Sequence, residues 1–212
     1  MTLNNALKKY LQPDPNLPPL PAPQRVWRPP LKSRGTRKVA LGAKHHENGA
    51  MVVNDVVTAF ESGFERKAAK CSWAWPGVID VIDQFPKERY LGDDGVWHTH
   101  TFDYLVVFDN GLKRAISVKP LAFVESSNIR RIHQLLAAQM SPATANQINL
   151  VTEQNLGRDN YFNGALICSL MLDPNPEQDA VVERLVAGLI GATTIGVLAD
   201  ASGPTASAPR SA

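Results

Sequence analysis

The chain has 212 residues, of which 44% are hydrophobic, and its formal net charge is only +2. This composition is that of a globular protein, and no stretch approaches the roughly 20 apolar residues that span a bilayer. Because the first residues lack the order of a secretory signal, we expect a cytoplasmic protein in which Cys71 and Cys168 are reduced, buried thiols.

A basic, proline-rich arm is predicted over residues 1–33. Before residue 50, nine basic residues oppose two acidic ones, a local net charge of +7. This charge suits either phosphate contacts or a solvated leader. Eight prolines between residues 11 and 31 exclude a helix there and favour an extended chain. At the other end, the small polar residues of 199–212 predict a disordered tail.

The first predicted elements are a helix and a strand. Asn54 is a suitable helix cap, and apolar residues then recur about every 3.6 positions, at Val57, Phe60, Phe64 and Ala68. Residues 78–82 are mostly β-branched and predict a strand.

A long hairpin is predicted next, with strands at 97–108 and 112–118 around the loop Asp109-Asn110-Gly111. Apolar residues occupy the even positions of both strands, so the loop must hold an odd number of residues. A three-residue loop pairs Phe108 with Leu112 and therefore Asp103 with Ser117. Lys119 then lies diagonally beside them on the same face.

Three further elements complete the prediction. Ser126 or Ser127 caps a second helix, residues 147–152 form a strand, and residues 177–189 form a third helix. The apolar stripe of the second helix is Ile129, Ile132, Leu135, Leu136 and Met140. Up to residue 152 the order is α-β-β-β-α-β. It predicts the α/β (α+β) class, with a mixed central sheet flanked by helices.

The paired Asp103 and Lys119 allow two interpretations. Their face of the hairpin otherwise carries Leu105, Val107 and Ala115, against which an unpartnered charge is costly. The two groups form either a structural ion pair at a strand edge or part of a catalytic centre.

Four short runs, in order along the chain, resemble the TnsA family, the endonuclease subunit of heteromeric transposases. They are Ser62-Gly63-Phe64-Glu65, the run IDVIDQFP at 79–86, TFDYLV at 101–106 and AISVKP at 115–120. Val151-Thr152-Glu153 lies where the family has its next strand, so the resemblance covers about residues 34–164.

The resemblance implies a PD-(D/E)XK nuclease domain with a restriction-endonuclease-like core over residues 34–164. A helical extension at 165–198 is too short for the family's full partner-binding domain. The implied activity is metal-dependent cleavage of double-stranded DNA at the 5′ ends of a mobile element in a bacterial cytoplasm. The implied cofactor is Mg²⁺, with Mn²⁺ able to substitute, and the implied partners are a TnsB-like transposase and a TnsC-like ATPase.

The catalytic set implied by the resemblance is Glu65, Asp103 and Lys119, with Glu65 preferred to Glu61 by its spacing. Asp103 and Glu65 would hold the metal together with the Val118 backbone carbonyl. Ser117 stands where the family has Gln and most PD-(D/E)XK nucleases have Glu. Its shorter hydroxyl is expected to be a weak ligand or to act through water.

Other polar residues are weaker candidates. Lys38 and Lys44 precede the active-site helix and are predicted to bind DNA phosphates. For Arg130 and Arg131, phosphate binding and a solvated helix face are equally favoured. His98 and His100 are predicted to lie at the start of their strand, on the face opposite Asp103, with DNA contact as the alternative.

Two other functions stay open from the sequence. One is a stand-alone phage or plasmid nuclease used in restriction or junction resolution. The other is a DNA-binding or assembly subunit whose active site has decayed at Ser117.

Overall fold

The protein is described from a computed structural model, which covers residues 29–36, 47–172 and 174–202. Its contacts divide the chain into two compact units, one spanning Trp27–Asp173 and one that includes Pro174–Ala212. Most of the predicted arm and tail lies outside the described residues, and so do Lys38 and Lys44.

A four-stranded sheet forms the centre of the larger unit. Its strands are β3 (Val78–Asp83), β6 (Tyr104–Phe108), β7 (Lys113–Val118) and β8 (Gln147–Val151), in the order β3-β6-β7-β8. The first three are antiparallel, whereas β7 and β8 are parallel. The predicted mixed α/β class is therefore confirmed.

Side chains alternate between the two faces of this sheet and build two cores. Helix α1 (Gly63–Trp73) packs on one face and α2 (Ile129–Gln139) on the other. The core beneath α1 includes Tyr104, Val106 and Ile116, while the core beneath α2 includes Leu105 and Ala115. This is the alternation that a sheet covered on both faces requires.

The β6–β7 hairpin has the predicted register. Tyr104 pairs with Ile116, and the Phe108 N–H donates to the Leu112 carbonyl at 2.9 Å. Gly111 has a φ of +83°, as the last residue of a three-residue loop requires.

The predicted helix start at Asn54 is wrong. Asn54 and Asp55 have φ values of 51° and 60° and form the turn between β1 (Gly49–Val53) and β2 (Val56–Phe60). The β-branched residues after this turn favour a strand over a helix, because their side chains are restricted in a helix. Asn and Asp tolerate the left-handed backbone that the turn requires. The helix itself begins only at Gly63.

The predicted long strand at 97–108 is also wrong, because it is two strands in different sheets. β5 (Trp97–Thr101) pairs with β4 (Lys87–Leu91) in a separate two-stranded ribbon. The chain changes partners at the next two residues: the Phe102 N–H donates to Pro86 at 3.0 Å, and the Asp103 N–H to Ile116 at 2.9 Å. Phe102, predicted to lie on the face of Tyr104, is therefore buried in the opposite core.

Helix α3 (Arg158–Met171) ends the described part of the larger unit, and only its second half was predicted, as the start of the helical extension at 165–198. It crosses the expected domain boundary at residue 164 and packs against α1. A Cβ atom at Gly164 would lie 2.9 Å from the Lys70 carbonyl oxygen, so the close approach depends on glycine.

The smaller unit contains α4 (Pro176–Ala187) and α5 (Ile195–Ser202). Helix α4 confirms the helix predicted at 177–189, and Asn175 caps it with Pro176 in the first turn. Helix α5 occupies the first residues of the predicted tail. Within the described ranges, no helix is long and apolar enough to cross a membrane.

Candidate active site

The first turn of α1 holds Glu65 in a fixed position. The Ser62 side chain accepts from the Glu65 N–H at 3.1 Å, and Glu65 Oε2 accepts from the Glu61 N–H at 2.8 Å. This reciprocal pair is a variant of the capping box, in which the glutamate accepts from the residue before the N-cap, and it stabilises the helix start. The S-x-x-E motif therefore has a structural role that also orients the Glu65 carboxylate.

Asp103 lies where the chain passes from the ribbon into the central sheet. Its carbonyl accepts from the Gln84 N–H at 2.7 Å, which ties it to the end of β3. Its Oδ2 accepts from the Val118 N–H at 2.7 Å, which ties it to the end of β7. The predicted proximity of Asp103 to the Ser117–Lys119 segment is thus observed, since the Asp103 side chain is hydrogen-bonded to the Val118 backbone.

Glu65 and Lys119 line one cavity of about 500 Å³. Its other lining residues are Ser62, Phe64, Val118, Pro120, Phe123, Ser126 and Ser127. The Lys119 N–H donates to the Val151 carbonyl at 3.0 Å, so its backbone is fixed by β8. Asp103 is not among the lining residues, but Val118 is, and Asp103 is bonded to Val118.

The buried hydroxyl of Tyr104 lies near both predicted carboxylate ligands. Its oxygen lies 3.3 Å from the Ala59 carbonyl oxygen and 3.2 Å from that of Glu65, so the two carbonyls share its single proton as acceptors. Burial, and then the charges of Glu65 and Asp103, raise the pKa of Tyr104 well above its usual value. Asp103 precedes the first residue of β6, Lys119 follows the last residue of the adjacent β7, and Glu65 lines the same cavity as Lys119.

A further carboxylate near Tyr104 was missed from the sequence. Asp83 is only 2% exposed, and its negative charge also raises the pKa of Tyr104. Both of its oxygens accept from the Ser33 hydroxyl at 2.8 Å. The IDVIDQFP run contains this residue, but a single Asp at a strand end gives no sign of its burial.

Ser117 faces two histidines instead of the cavity. Its hydroxyl is 3.0 Å from His100 Nε2 and 2.9 Å from His133 Nε2, and the residue is 2% exposed. A hydroxyl can donate to one imidazole and accept from the other. The role of Ser117 as a weak metal ligand stays a prediction. Its hydroxyl is hydrogen-bonded to the two histidines.

Both histidines are held neutral. Burial, and then the charge of Lys119, lowers the pKa of His100 to about 4. Burial, and then the proximity of His100, lowers the pKa of His133 to about 4. The parity argument for His100 assumed one continuous strand, and that premise is wrong because β5 ends at Thr101, before Asp103. His133 was missed, although its position four residues after Ile129 places it near the apolar stripe of α2.

The predicted DNA-binding residues within the described ranges lie on α2. Arg131 is paired with Asp93 at 2.6 Å, and Arg130 lies 3.6 Å from Glu125 in an exposed pair. Their charges are thus partly balanced locally. Lys38 and Lys44 are not covered by the described ranges.

Among the described residues, no group of three or more His, Cys, Asp or Glu side chains is arranged to hold a metal ion. No protein-family model matches the sequence, and no curated protein matches it significantly. Any function therefore rests on the resemblance of its motifs and on the geometry of Glu65, Asp103 and Lys119.

Proposed function

We propose that this chain is a metal-dependent DNA endonuclease with a restriction-endonuclease-like core of the TnsA, PD-(D/E)XK type. The observation that carries the proposal is the convergence of three separate motifs. Glu65 and Lys119 line one cavity, and Asp103 is bonded to Val118 at its edge. These are the residues that the resemblance to TnsA assigns to catalysis.

The donor set fits a hard divalent cation. Asp103 and Glu65 offer carboxylate oxygens and Val118 a backbone carbonyl, while Mg²⁺ usually keeps several waters beside one or two carboxylates. Such a site needs only two acidic side chains. A carboxylate has about four acceptor positions, so Asp103 can accept from Val118 and still bind a cation. Bound Mg²⁺, or Mn²⁺ in its place, would neutralise phosphate charge and lower the pKa of a bound water.

The protein's own groups then divide the work. Asp103, fixed between β3 and β7, would hold the cation at the sheet end, and the positive charge of the cation would attract the phosphate. Glu65 lines the cavity and would orient water there, because the hydrogen bonds at the helix start fix its carboxylate. Lys119 brings a positive charge into the same cavity, where it can position the attacking water or a phosphate oxygen.

The proposed setting is also that of the family. The substrate is double-stranded DNA at the ends of a mobile element, and cleavage leaves a 5′-phosphate and a 3′-hydroxyl. A TnsB-like transposase and a TnsC-like ATPase are the proposed partners, in a bacterial cytoplasm.

One observation favours a second candidate, a DNA-binding or assembly subunit that has lost catalysis. Ser117 replaces the Gln or Glu of related nucleases, and its hydroxyl lies between two imidazoles outside the cavity lining. The metal would then lack one side-chain ligand. The cleavage assay below separates the two candidates.

The main test is cleavage of supercoiled plasmid carrying a transposon end, with Mg²⁺ or Mn²⁺ and with or without the partner transposase. Wild type is expected to cut, and Lys119→Ala to lose at least about 100-fold in rate, about 2.7 kcal/mol of transition-state stabilisation. Lys113→Ala is the matched control, because Lys113 begins β7, whereas Lys119 follows its other end, and the Lys113 ammonium donates to the Ala143 carbonyl.

Equal cutting by wild type and Lys119→Ala would contradict the assignment. Silence of wild type with both metals and with the partner present, together with retained DNA binding, would establish the decayed form instead.

A second pair of variants separates the two roles of Glu65. Glu65→Gln keeps the capping box, since Gln serves at this position, but removes the charge that binds the cation. Ser62→Ala removes the cap and leaves the carboxylate. We expect Glu65→Gln to lose cleavage and keep its stability, and Ser62→Ala to lose about 1 kcal/mol of stability and keep most cleavage. The reverse pattern would make Glu65 a purely structural residue.

A further inference from the structure

The β4–β5 ribbon has an outer face that the central sheet does not use. In its register, Lys87 pairs with Thr101, Arg89 with Thr99, and Leu91 with Trp97. Side chains of paired residues share a face, so these six form one surface, called here the ribbon face. Trp97 is 57% exposed and Leu91 41% exposed, and both basic residues are exposed.

The opposite side of the ribbon is anchored to α2. Tyr90 is buried and stacks on His98 with ring centroids 5.6 Å apart. The Gln139 side-chain amide accepts from the Leu91 N–H at 2.8 Å and donates to its carbonyl at 3.1 Å. The ribbon is therefore held in a fixed orientation with the ribbon face toward solvent.

The charge of the ribbon face has one sign. Lys87 and Arg89 are its ionic residues, and the acidic residue of these strands, Glu88, points to the other side by parity. The Arg89 guanidinium lies 5.1 Å from the centre of the Trp97 ring, which holds the cation over an aromatic surface.

The two carboxylates in the turn of the ribbon do not cancel this charge. Asp93 is bonded to Arg131 of α2 at 2.6 Å, and Asp94 is 2.9 Å from His98. Both partners belong to the anchored side. The turn carboxylates are therefore drawn away from the ribbon face.

We propose that the ribbon face binds duplex DNA by lying in its major groove, an inference that rests on the proposed nuclease function. The major groove, about 12 Å wide, admits a two-stranded antiparallel ribbon. Lys87 and Arg89 contact phosphates or base edges, and the Thr99 and Thr101 hydroxyls contact either. An exposed Trp, two cations and two hydroxyls without a carboxylate fit a polyanion better than an apolar protein surface.

The ribbon also leads directly into the candidate active site. Thr101 is two residues before Asp103, about 7 Å of extended chain, and Trp97 is six residues before it, about 20 Å. DNA held on the ribbon face therefore lies within reach of Asp103. The ribbon would set which phosphate enters the site, which gives it a positioning role in the proposed cleavage.

The test is duplex binding by the full chain in EDTA, measured by fluorescence anisotropy of a labelled DNA duplex over a range of NaCl concentrations. The ribbon double variant Lys87→Ala/Arg89→Ala is compared with Lys67→Ala/Lys70→Ala, which removes the same charge from α1. We expect the ribbon variant to bind at least about 10-fold more weakly and the slope of log Kd against log salt to fall by about 1.8. The α1 variant should keep the wild-type slope.

Trp97→Ala tests whether the ribbon face contributes to DNA affinity by more than its charge. It should weaken binding without changing the salt slope, because it removes the surface on which Arg89 rests but no charge. Lys67, Lys87, Arg89 and Trp97 are exposed and Lys70 is half-buried, so circular dichroism checks that each variant folds.

Wild-type affinity in the ribbon variant, or equal losses in both double variants, would overturn the inference. So would a ribbon variant that keeps duplex affinity but loses association with a second copy or with the transposase, since the face would then bind protein. If the ribbon variant binds DNA like wild type while Lys119→Ala abolishes cleavage, the inference about the ribbon face is refuted and the proposed nuclease function stands. If the ribbon variant binds DNA more weakly but wild type never cleaves, the proposed nuclease function is refuted and the inference about the ribbon face stands.

Discussion

Asp103→Asn tests the centre of the proposed site with a nearly isosteric change. The Asn side-chain oxygen can still accept from the Val118 N–H, which Asp103 Oδ2 accepts at 2.7 Å. The bond changes from charge-assisted to neutral, a loss of about 1 kcal/mol. For a chain of this size, that corresponds to a fall in Tm of about 2–4 °C.

Catalysis should suffer far more than stability. Replacing one of two carboxylate ligands removes several kcal/mol of charge stabilisation, which corresponds to a loss of at least about 100-fold in the rate of Mg²⁺-dependent cleavage. Affinity for Mn²⁺, measured by calorimetry without DNA, should fall with it. This second readout does not depend on the chemical step.

The control is Asp109→Asn, at the other end of β6 in the hairpin loop. It makes the same chemical change far from the cavity and should leave cleavage and Mn²⁺ binding unchanged. If Asp103→Asn cut within about threefold of wild type, with Mn²⁺ affinity intact, Asp103 would not be a metal ligand. A Tm loss of 10 °C or more, against the few degrees expected here, would instead mean that its charge mainly stabilises the fold.

Three further predictions concern the fold around the site. Folding lowers the pKa values of His100 and His133 from 6.5 to about 4. Between these pH values the unfolded chain binds more protons than the folded one, so the free energy of unfolding should fall as the pH drops from about 6.5 toward 4. Urea unfolding in EDTA should show this loss, and the double variant to Gln should flatten the profile. Gly164→Ala should lower the free energy of unfolding although Ala is the better helix former by about 1 kcal/mol, because overpacking against α1 costs about 1–3 kcal/mol. An increase would contradict the close helix contact. Cys71 and Cys168 are buried with raised pKa values, so iodoacetamide at pH 8 should modify both only after denaturation.

The ribbon and the candidate site belong to one continuous segment of chain. Residues 97–101 present the ribbon face, Phe102 anchors the second core, and Asp103 reaches β7. A surface that binds DNA and a carboxylate that acts on it would thus be joined by only a few residues. This arrangement makes the spacing between ribbon and site a sensitive point for insertions or deletions.

Local patterns in the sequence were sufficient for the β6–β7 hairpin, for the strands β3 and β8 and for the helices at 129–139 and 176–187. Each depends on residues close together in the chain: alternating apolar positions, a three-residue loop ending in Gly111, or an apolar stripe. The same parity placed Asp103 near Ser117 and Lys119. Short-range periodicity determines these features because it decides which face of an element is buried.

Only the tertiary structure decided where the alternating strand predicted at 97–108 is interrupted. The change of partner at Phe102 and Asp103 depends on hydrogen bonds to Pro86 and Ile116, which are distant in sequence. It turned one predicted strand into two, brought His100 against Ser117, and exposed the ribbon face. His133 and Asp83 joined the site's surroundings for the same reason, since burial and long-range packing bring together residues that no local spacing relates.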